Sequence, residues 1–243
     1  SANHATKLEV VHDILHGKDG PNVTCKNLCY VIDKYKFPRG INRSHILSDI
    51  SVDCKAGQFH AIIGPPGSGR SSLLHALATE IHANNAKITG EIKYDGKIPD
   101  LTLKGWQKCG LIEYRNHFYR DLSVRQSLMY SAELRLKSGQ KMISNMTDMN
   151  RIVDGVITLT NLGLCSGTKT KDLSKGEARL LSIAEELLTG QTLLLIDEPT
   201  TNLDTREVVK VMNVLQSLVQ LKYIDERNLN RNKNYENITN KIL

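Results

Sequence analysis

The stretch Gly64-Pro65-Pro66-Gly67-Ser68-Gly69-Arg70-Ser71 constrains this chain more than any other, because it joins a short apolar run to a helical one. Phe59-His60-Ala61-Ile62-Ile63 before it reads as a buried parallel strand. Ser71-Ser72-Leu73-Leu74-His75-Ala76-Leu77-Ala78 after it carries the leucine and alanine spacing of a helix. The loop fits the phosphate-binding pattern G-x-x-x-x-G-K-[ST] at every fixed position except the lysine, where Arg70 stands. Glycines let the backbone curl around an anion with its N–H groups inward, and the following helix adds the positive end of its dipole. Gly64 to Ser72 are therefore the candidate phosphate cradle, with Ser71 placing a hydroxyl on Mg²⁺ and Arg70 neutralising phosphate charge. A planar guanidinium in place of a slim ammonium keeps that charge but disturbs catalytic geometry.

A second acidic element suits the first. Leu193-Leu194-Leu195-Ile196 reads as a buried strand that ends in Asp197-Glu198, so Asp197 can serve the water shell of Mg²⁺ and Glu198 can polarise an attacking water. Between the two lies Leu173-Ser174-Lys175-Gly176-Glu177 at the start of a helical run, where Ser174 and Glu177 have the spacing of a capping box.

The remaining order is that of one α/β domain with an inserted lobe, for which 243 residues suffice. Val23 to Asp33 and Ile46 to Cys54 read as strands, and Asp95-Gly96 as a hairpin turn between two short strands within Ile88 to Lys97. From Leu122 to about Leu188 the pattern is mostly helical, broken by a polar, Met- and Asn-rich stretch from Ser138 to Met149. Thr205 to Leu221 reads as a helix, and the Asn- and Lys-rich residues 222–243 as a poorly packed tail. Residues 1–22 are expected to be a poorly ordered leader. The longest apolar runs are far too short to span a bilayer. The net charge of +6 is scattered and only 5% of residues are aromatic, which argues against a base-stacking nucleic-acid platform. Five widely spaced cysteines without a CxxC pair are expected to be reduced thiols.

These motifs, taken in order, resemble the nucleotide-binding domain of an ATP-binding cassette (ABC) transporter. Gly64 to Ser71 is similar to the family's Walker A loop, Leu173 to Glu177 to its LSGGE signature, Leu193 to Glu198 to its Walker B strand and catalytic glutamate, and Thr201-Asn202-Leu203-Asp204 to its D-loop. Leu122 to Leu136 is similar to a passage of the G subfamily, the White and sterol-transporter half-transporters. The resemblance covers about residues 23–221 and implies a RecA-like P-loop core with a parallel sheet, an N-terminal antiparallel β portion and a helical lobe over about residues 121–185. It implies ATP and Mg²⁺ as cofactors. Nucleotide would be held by Gly64, Pro65, Pro66, Gly67, Ser68, Gly69, Arg70, Ser71 and Ser72, with Ser71 and Asp197 on the metal and Glu198 as catalytic base. Two such domains stack head to tail in this family, so Ser174, Lys175, Gly176, Glu177 and Asp204 would serve nucleotide across a homo- or heterodimer. Tyr30 or Tyr35 is a candidate for stacking on adenine.

The chain departs from the family at four points. Arg70 replaces the Walker lysine, Tyr114 falls where the family has its Q-loop glutamine, with Glu113 beside it, and Lys175 takes the place of the first signature glycine. No histidine follows His117, so the family's switch histidine is absent, and the last strands of the fold are expected to be missing or divergent. Two functions fit. The first is the ATP-binding arm of a transporter that exports lipid, sterol or hydrophobic compounds through a membrane domain outside this chain, at the cytosolic face of a membrane. The alternative is a catalytically degenerate module that supports a partner's ATP site, similar to the degenerate subunit of the sterol-exporting heterodimer. Hydrolysis by this chain alone is expected to be weak or absent. A soluble ABC protein acting on nucleic acid fits less well, given the single cassette and the G-like passage.

Overall fold

The computed structural model describes residues 20–36, 40–80, 85–99, 109–115, 117–136 and 146–220. The proposed leader up to residue 19, the polar break over 137–145 and the tail from 221 onward lie outside the described residues. The chain divides into two compact units, one built from Asp19–Leu111 with Thr192–Asp197, the other from the described residues of 112–191 and from Glu198 onward. Among the described residues no helix is long and apolar enough to cross a membrane.

In the first unit β1 (Val23–Lys36), β2 (Gly40–Cys54) and β3 (Ala86–Tyr94) form an antiparallel sheet in the order β2-β1-β3. Alternation buries Val23 and Cys25 on one face of β1, yet the next buried residues are Leu28 and Tyr30, a change of phase. A bulge absorbs the extra residue. The register shifts between Cys25 and Leu28, and Asn27 takes a left-handed φ of 50°. Opposite it, Gly90 has φ +102°, and a Cβ there would lie 2.5 Å from the Asn27 carbonyl oxygen. Asn27 Nδ2 donates to Asp49 Oδ1 at 2.9 Å, tying the bulge to β2.

Helix α1 (Arg70–Leu77) completes this core by burying Leu73, Leu74, Ala76 and Leu77 together with Val23, Leu28, Leu47 and Leu195. The Tyr94 hydroxyl donates to the Leu77 carbonyl, and burial raises its pKa above the usual phenol range. Asp95 and Gly96 both have positive φ, 49° and 75°, the backbone of a type I′ turn. That turn closes on a single bridge, Tyr94 to Lys97, rather than on the expected second strand. Tyr30 is 9% exposed within the core, so it is a packing residue and not an adenine platform. The side chain of Tyr35 lies outside the described residues.

Strands β4 (Cys109–Ile112) and β5 (Leu193–Ile196) form a parallel pair. One expected strand is not formed: residues 59–63 are irregular and open to solvent, with Phe59 50% and Ile63 92% exposed. A strand needs a ladder of hydrogen-bonded partners, and among the described residues no strand pairs with this segment.

In the second unit α2 (Val124–Leu136), α3 (Met146–Leu159), α4 (Lys175–Leu187) and α5 (Thr205–Gln220) pack together. Their buried residues recur at helical spacing: Val124, Leu128 and Ala132; Met149, Val153 and Val156; Leu180, Leu181, Ala184 and Leu187; Val211, Val214 and Leu215. The 3₁₀ turns Gly163–Cys165 and Thr170–Asp172 carry the chain from α3 to α4. The α/β class expected from the sequence is thus observed, with an antiparallel β portion, a parallel pair and a helical lobe.

Gly90→Ala tests the bulge. The added methyl meets backbone in a left-handed conformation, so the variant is expected to lose more than about 1 kcal/mol of stability, read from the urea midpoint.

Candidate functional site

Helix N-terminal ends carry N–H groups that no helical turn can satisfy, and the candidate residues gather at such ends in each unit separately, at α1 in the first and at α4 and α5 in the second. At α1 the residue before the helix is Gly69, with φ 89° and no side chain to cap. A Cβ there would lie 2.9 Å from both the Ile46 carbonyl oxygen and Leu47 Cδ2, so the loop's approach to β2 requires glycine. Gly67 is also left-handed, at φ +80°, with open space around it. Ser68 N donates to the Pro65 carbonyl at 3.2 Å, which curls the loop into a turn, and Pro65 to Ser68 are exposed. The Ser71 side chain is exposed at the helix start. This arrangement fits an anion: a solvent-open backbone curl feeds an uncapped helix N-terminus. Arg70 Nη1 donates to the Gly64 carbonyl at 2.8 Å, so this guanidinium ties the end of the loop to its beginning. Asp197 follows β5 directly, within the same unit as the loop.

In the other unit, Glu198 follows with φ 46°, a left-handed conformation that costs free energy for a side chain of this kind. Ser174 is the N-cap of α4, and the capping box is complete: Glu177 N donates to Ser174 Oγ at 3.2 Å, and Ser174 N donates to Glu177 Oε2 at 2.9 Å. Ser174 and Lys175 are exposed, and Gly176 is buried. Asp204 and Glu207 make a second capping box at α5, with Glu207 N donating to Asp204 Oδ1 at 2.8 Å and Asp204 N to Glu207 Oε2 at 3.3 Å. The two boxes meet, because Gly176 N donates to Glu207 Oε1 at 3.1 Å. The neighbouring Ser174 side chain, aided by the Gly176 and Asp204 amides and opposed by desolvation, holds the Glu207 carboxyl below its usual pKa.

Tyr114 joins the same cluster from the segment after β4. Its hydroxyl accepts from Asn202 Nδ2, and its ring lies under the Arg179 guanidinium, 5.9 Å from Cζ to the ring centroid. Arg179, on α4 and only 4% exposed, donates from Nη1 to the Glu113 carbonyl at 2.8 Å and from Nη2 to the Tyr114 carbonyl at 2.9 Å. A planar fork suits two successive carbonyls as a lysine could not. Tyr114, Ser174, Gly176, Glu177 and Asp204 are therefore linked through Arg179, Asn202 and Glu207; the sequence reading names Asn202 only as part of the D-loop stretch and does not name Arg179 or Glu207. The D-x-x-E spacing of Asp204 and Glu207 was available as a capping signal. An arginine directly before the apolar pair Leu180-Leu181 was a weaker sign of a buried fork.

Replacing Arg179 with Met would leave the Glu113 and Tyr114 carbonyls without these donors. The variant is expected to lose about 1–3 kcal/mol and to exchange the amides around Tyr114 faster, as read by hydrogen exchange.

Comparison with known proteins places this geometry. A family described as ABC transporter matches residues 47–201. The chain is 34% identical over 212 residues to ABC transporter G family member 25 of Arabidopsis thaliana, an alignment covering 84% of this chain and 30% of that protein. It is 33% identical over 204 residues to the macrolide export ATP-binding/permease protein MacB of Neisseria meningitidis, covering 81% of this chain and 29% of that one. With ABC transporter G family member 1 of Dictyostelium discoideum it shares 30% identity over 183 residues, 72% of this chain and 22% of the relative. The chain thus spans less than a third of the length of these relatives.

Proposed function

The chain belongs to the ABC transporter family, as a nucleotide-binding domain of the G-subfamily type, and from that premise we propose that it is the ATP-binding arm of a membrane exporter. ABC domains of this kind bind ATP with Mg²⁺. In this reading the backbone of Gly64, Pro65, Pro66, Gly67, Ser68 and Gly69 and the first turn of α1 with Ser72 hold the phosphates. Ser71 and Asp197 hold the metal, and Glu198 accepts a proton from water. The observation that carries the reading is the open, left-handed curl of Gly67 and Gly69 onto an uncapped helix. Bound Mg²⁺ would neutralise phosphate charge as the terminal phosphoryl group leaves. The relative named for macrolide export supports an export role, and the resemblance to the G subfamily implies a lipid, sterol or other hydrophobic cargo carried by a transmembrane partner at the cytosolic face. A second nucleotide-binding domain, identical or different, would supply the facing half of each site.

Two observations favour the second reading, a module that binds ATP and chiefly completes a partner's site. Tyr114, at the position where the resemblance expects a glutamine, is engaged on its ring by Arg179 and on its hydroxyl by Asn202. Arg70 is tied to the Gly64 carbonyl at 2.8 Å. Both support slow chemistry on a competent binding loop.

Phosphate release separates the two. The arm reading expects slow ATP turnover that Arg70→Lys raises and that Glu198→Gln lowers at least about 100-fold. ATP binding with no turnover above that of Glu198→Gln would overturn hydrolysis by this chain and leave the supporting module.

A further inference from the structure

Helix α2 carries two stripes side by side. Val124, Leu128 and Ala132 recur at four-residue intervals and are fully buried. Ser127, Ser131 and Arg135 recur at the same interval directly beside them, and this polar stripe meets α4. The hydroxyl of Ser127, a residue only 6% exposed, donates to Glu185 Oε1 at 2.6 Å, and Arg135 Nη1 donates to Glu186 Oε2 at 3.2 Å. The cation of the stripe thus serves Glu186, while a neutral hydroxyl meets the half-buried Glu185. A carboxylate withdrawn from water is costly unless charges or several donors offset the loss. Burial accordingly pushes the Glu185 carboxyl above its usual range, against the pull of the Ser127 hydroxyl, Arg135 and Ser131, and Glu186 adds a little to the rise. On α3, Asp154 pairs with Arg125, and Asp148 and Arg151 are exposed. On α5 the buried residues Val211, Val214 and Leu215 are apolar, and Arg206 and Lys210 are exposed.

We propose that Glu185 is a proton-operated latch of the helical lobe, which fastens α2 to α4 when its carboxyl is neutral and loosens them when it is ionised. A neutral carboxyl takes the charge out of the joint and adds a donor, so it can accept from one serine hydroxyl and donate to another across the contact. An ionised one can only accept, and it sets a second negative charge beside Glu186. A carboxyl whose value in the closed joint lies above its value in the open one contributes its full stabilisation below the ordinary carboxylate range. That contribution is lost as pH rises through the raised value. The apolar stripe of Val124, Leu128 and Ala132 does not titrate, so the latch adjusts the joint without dissolving it. Helix α4 begins at Lys175, about 15 Å along its axis from Glu185, so the latch sets how firmly that helix is held to the lobe. The lobe thereby answers to proton concentration independently of nucleotide.

The full chain, without ligand, provides the test. The Glu185 carboxyl carbon is followed by NMR from about pH 4 to about pH 8, together with the Ser127 and Ser131 amides and the hydrogen-exchange protection factors of α2. The Glu185 carbon is expected to titrate above the ordinary carboxylate range, and the two serine amides to shift with the same midpoint. Protection of the α2 amides should fall about ten-fold for each pH unit by which that midpoint is raised. Glu185→Gln presents a neutral amide with both a donor and an acceptor, and should keep the acidic level of protection at neutral pH. Ser127→Ala removes a hydrogen bond that favours the ionised form, and should move the Glu185 midpoint further upward. The titration of the unaltered chain decides the matter even where a variant fails to fold. A Glu185 carbon that titrates within the ordinary range, or one that titrates higher while the Ser127 amide and the protection of α2 stay unchanged, would overturn the proposal.

Discussion

Helix N-termini expose amide groups that must find acceptors, and this requirement organises the candidate residues within each unit. Three helices meet it in three ways. Helix α1 begins after Gly69, which has no side chain, and so presents its first turn to whatever anion arrives. Helix α4 is capped by Ser174 and Glu177, and α5 by Asp204 and Glu207. Glu207 then reaches back to Gly176, so the caps of α4 and α5 share one carboxylate. The open end suits a ligand, whereas the shared cap couples two segments that the sequence separates by about thirty residues.

Arg179 has the corresponding role behind the caps. A buried guanidinium is costly unless its donors are used, and here two carbonyls and an aromatic face receive it. The backbone at Glu113 and Tyr114 is thereby fixed to α4, and the Tyr114 hydroxyl is fixed to Asn202. With a glutamine at position 114, a flexible amide would be free to follow a ligand. A phenol clamped between Arg179 and Asn202 is a structural part, which gives a physical reason to expect slow chemistry from a fold that binds nucleotide.

Much of this was legible in the residues, and the limits are physical. The runs from Leu73 to Leu77 and from Leu193 to Ile196 formed a helix and a strand because pattern and neighbours agreed. Phe59 to Ile63 is apolar apart from His60, as a buried strand would be, yet forms no strand, since a strand is a property of a pair and composition does not reveal the partner. The short strand Cys109–Ile112 was not anticipated either, because four residues carry too little periodicity to announce themselves. Position by position, the motifs located the glycines, Ser174 and Asp204. They named Asn202 only as a member of the D-loop stretch and could not locate Arg179 or Glu207, whose contacts exist only once α4, α5 and the Tyr114 segment meet.

The proposed function requires that the loop from Gly64 to Ser71 hold ATP with Mg²⁺ although Arg70 replaces the lysine. Calorimetric titration of ATP into the chain, with and without Mg²⁺ and repeated on Ser71→Ala, tests it directly. Saturable binding that Mg²⁺ strengthens in the unaltered chain, and that loses its Mg²⁺ dependence in Ser71→Ala, is the predicted result. An absence of saturable binding, or a Mg²⁺ dependence that survives the loss of the Ser71 hydroxyl unchanged, would contradict it.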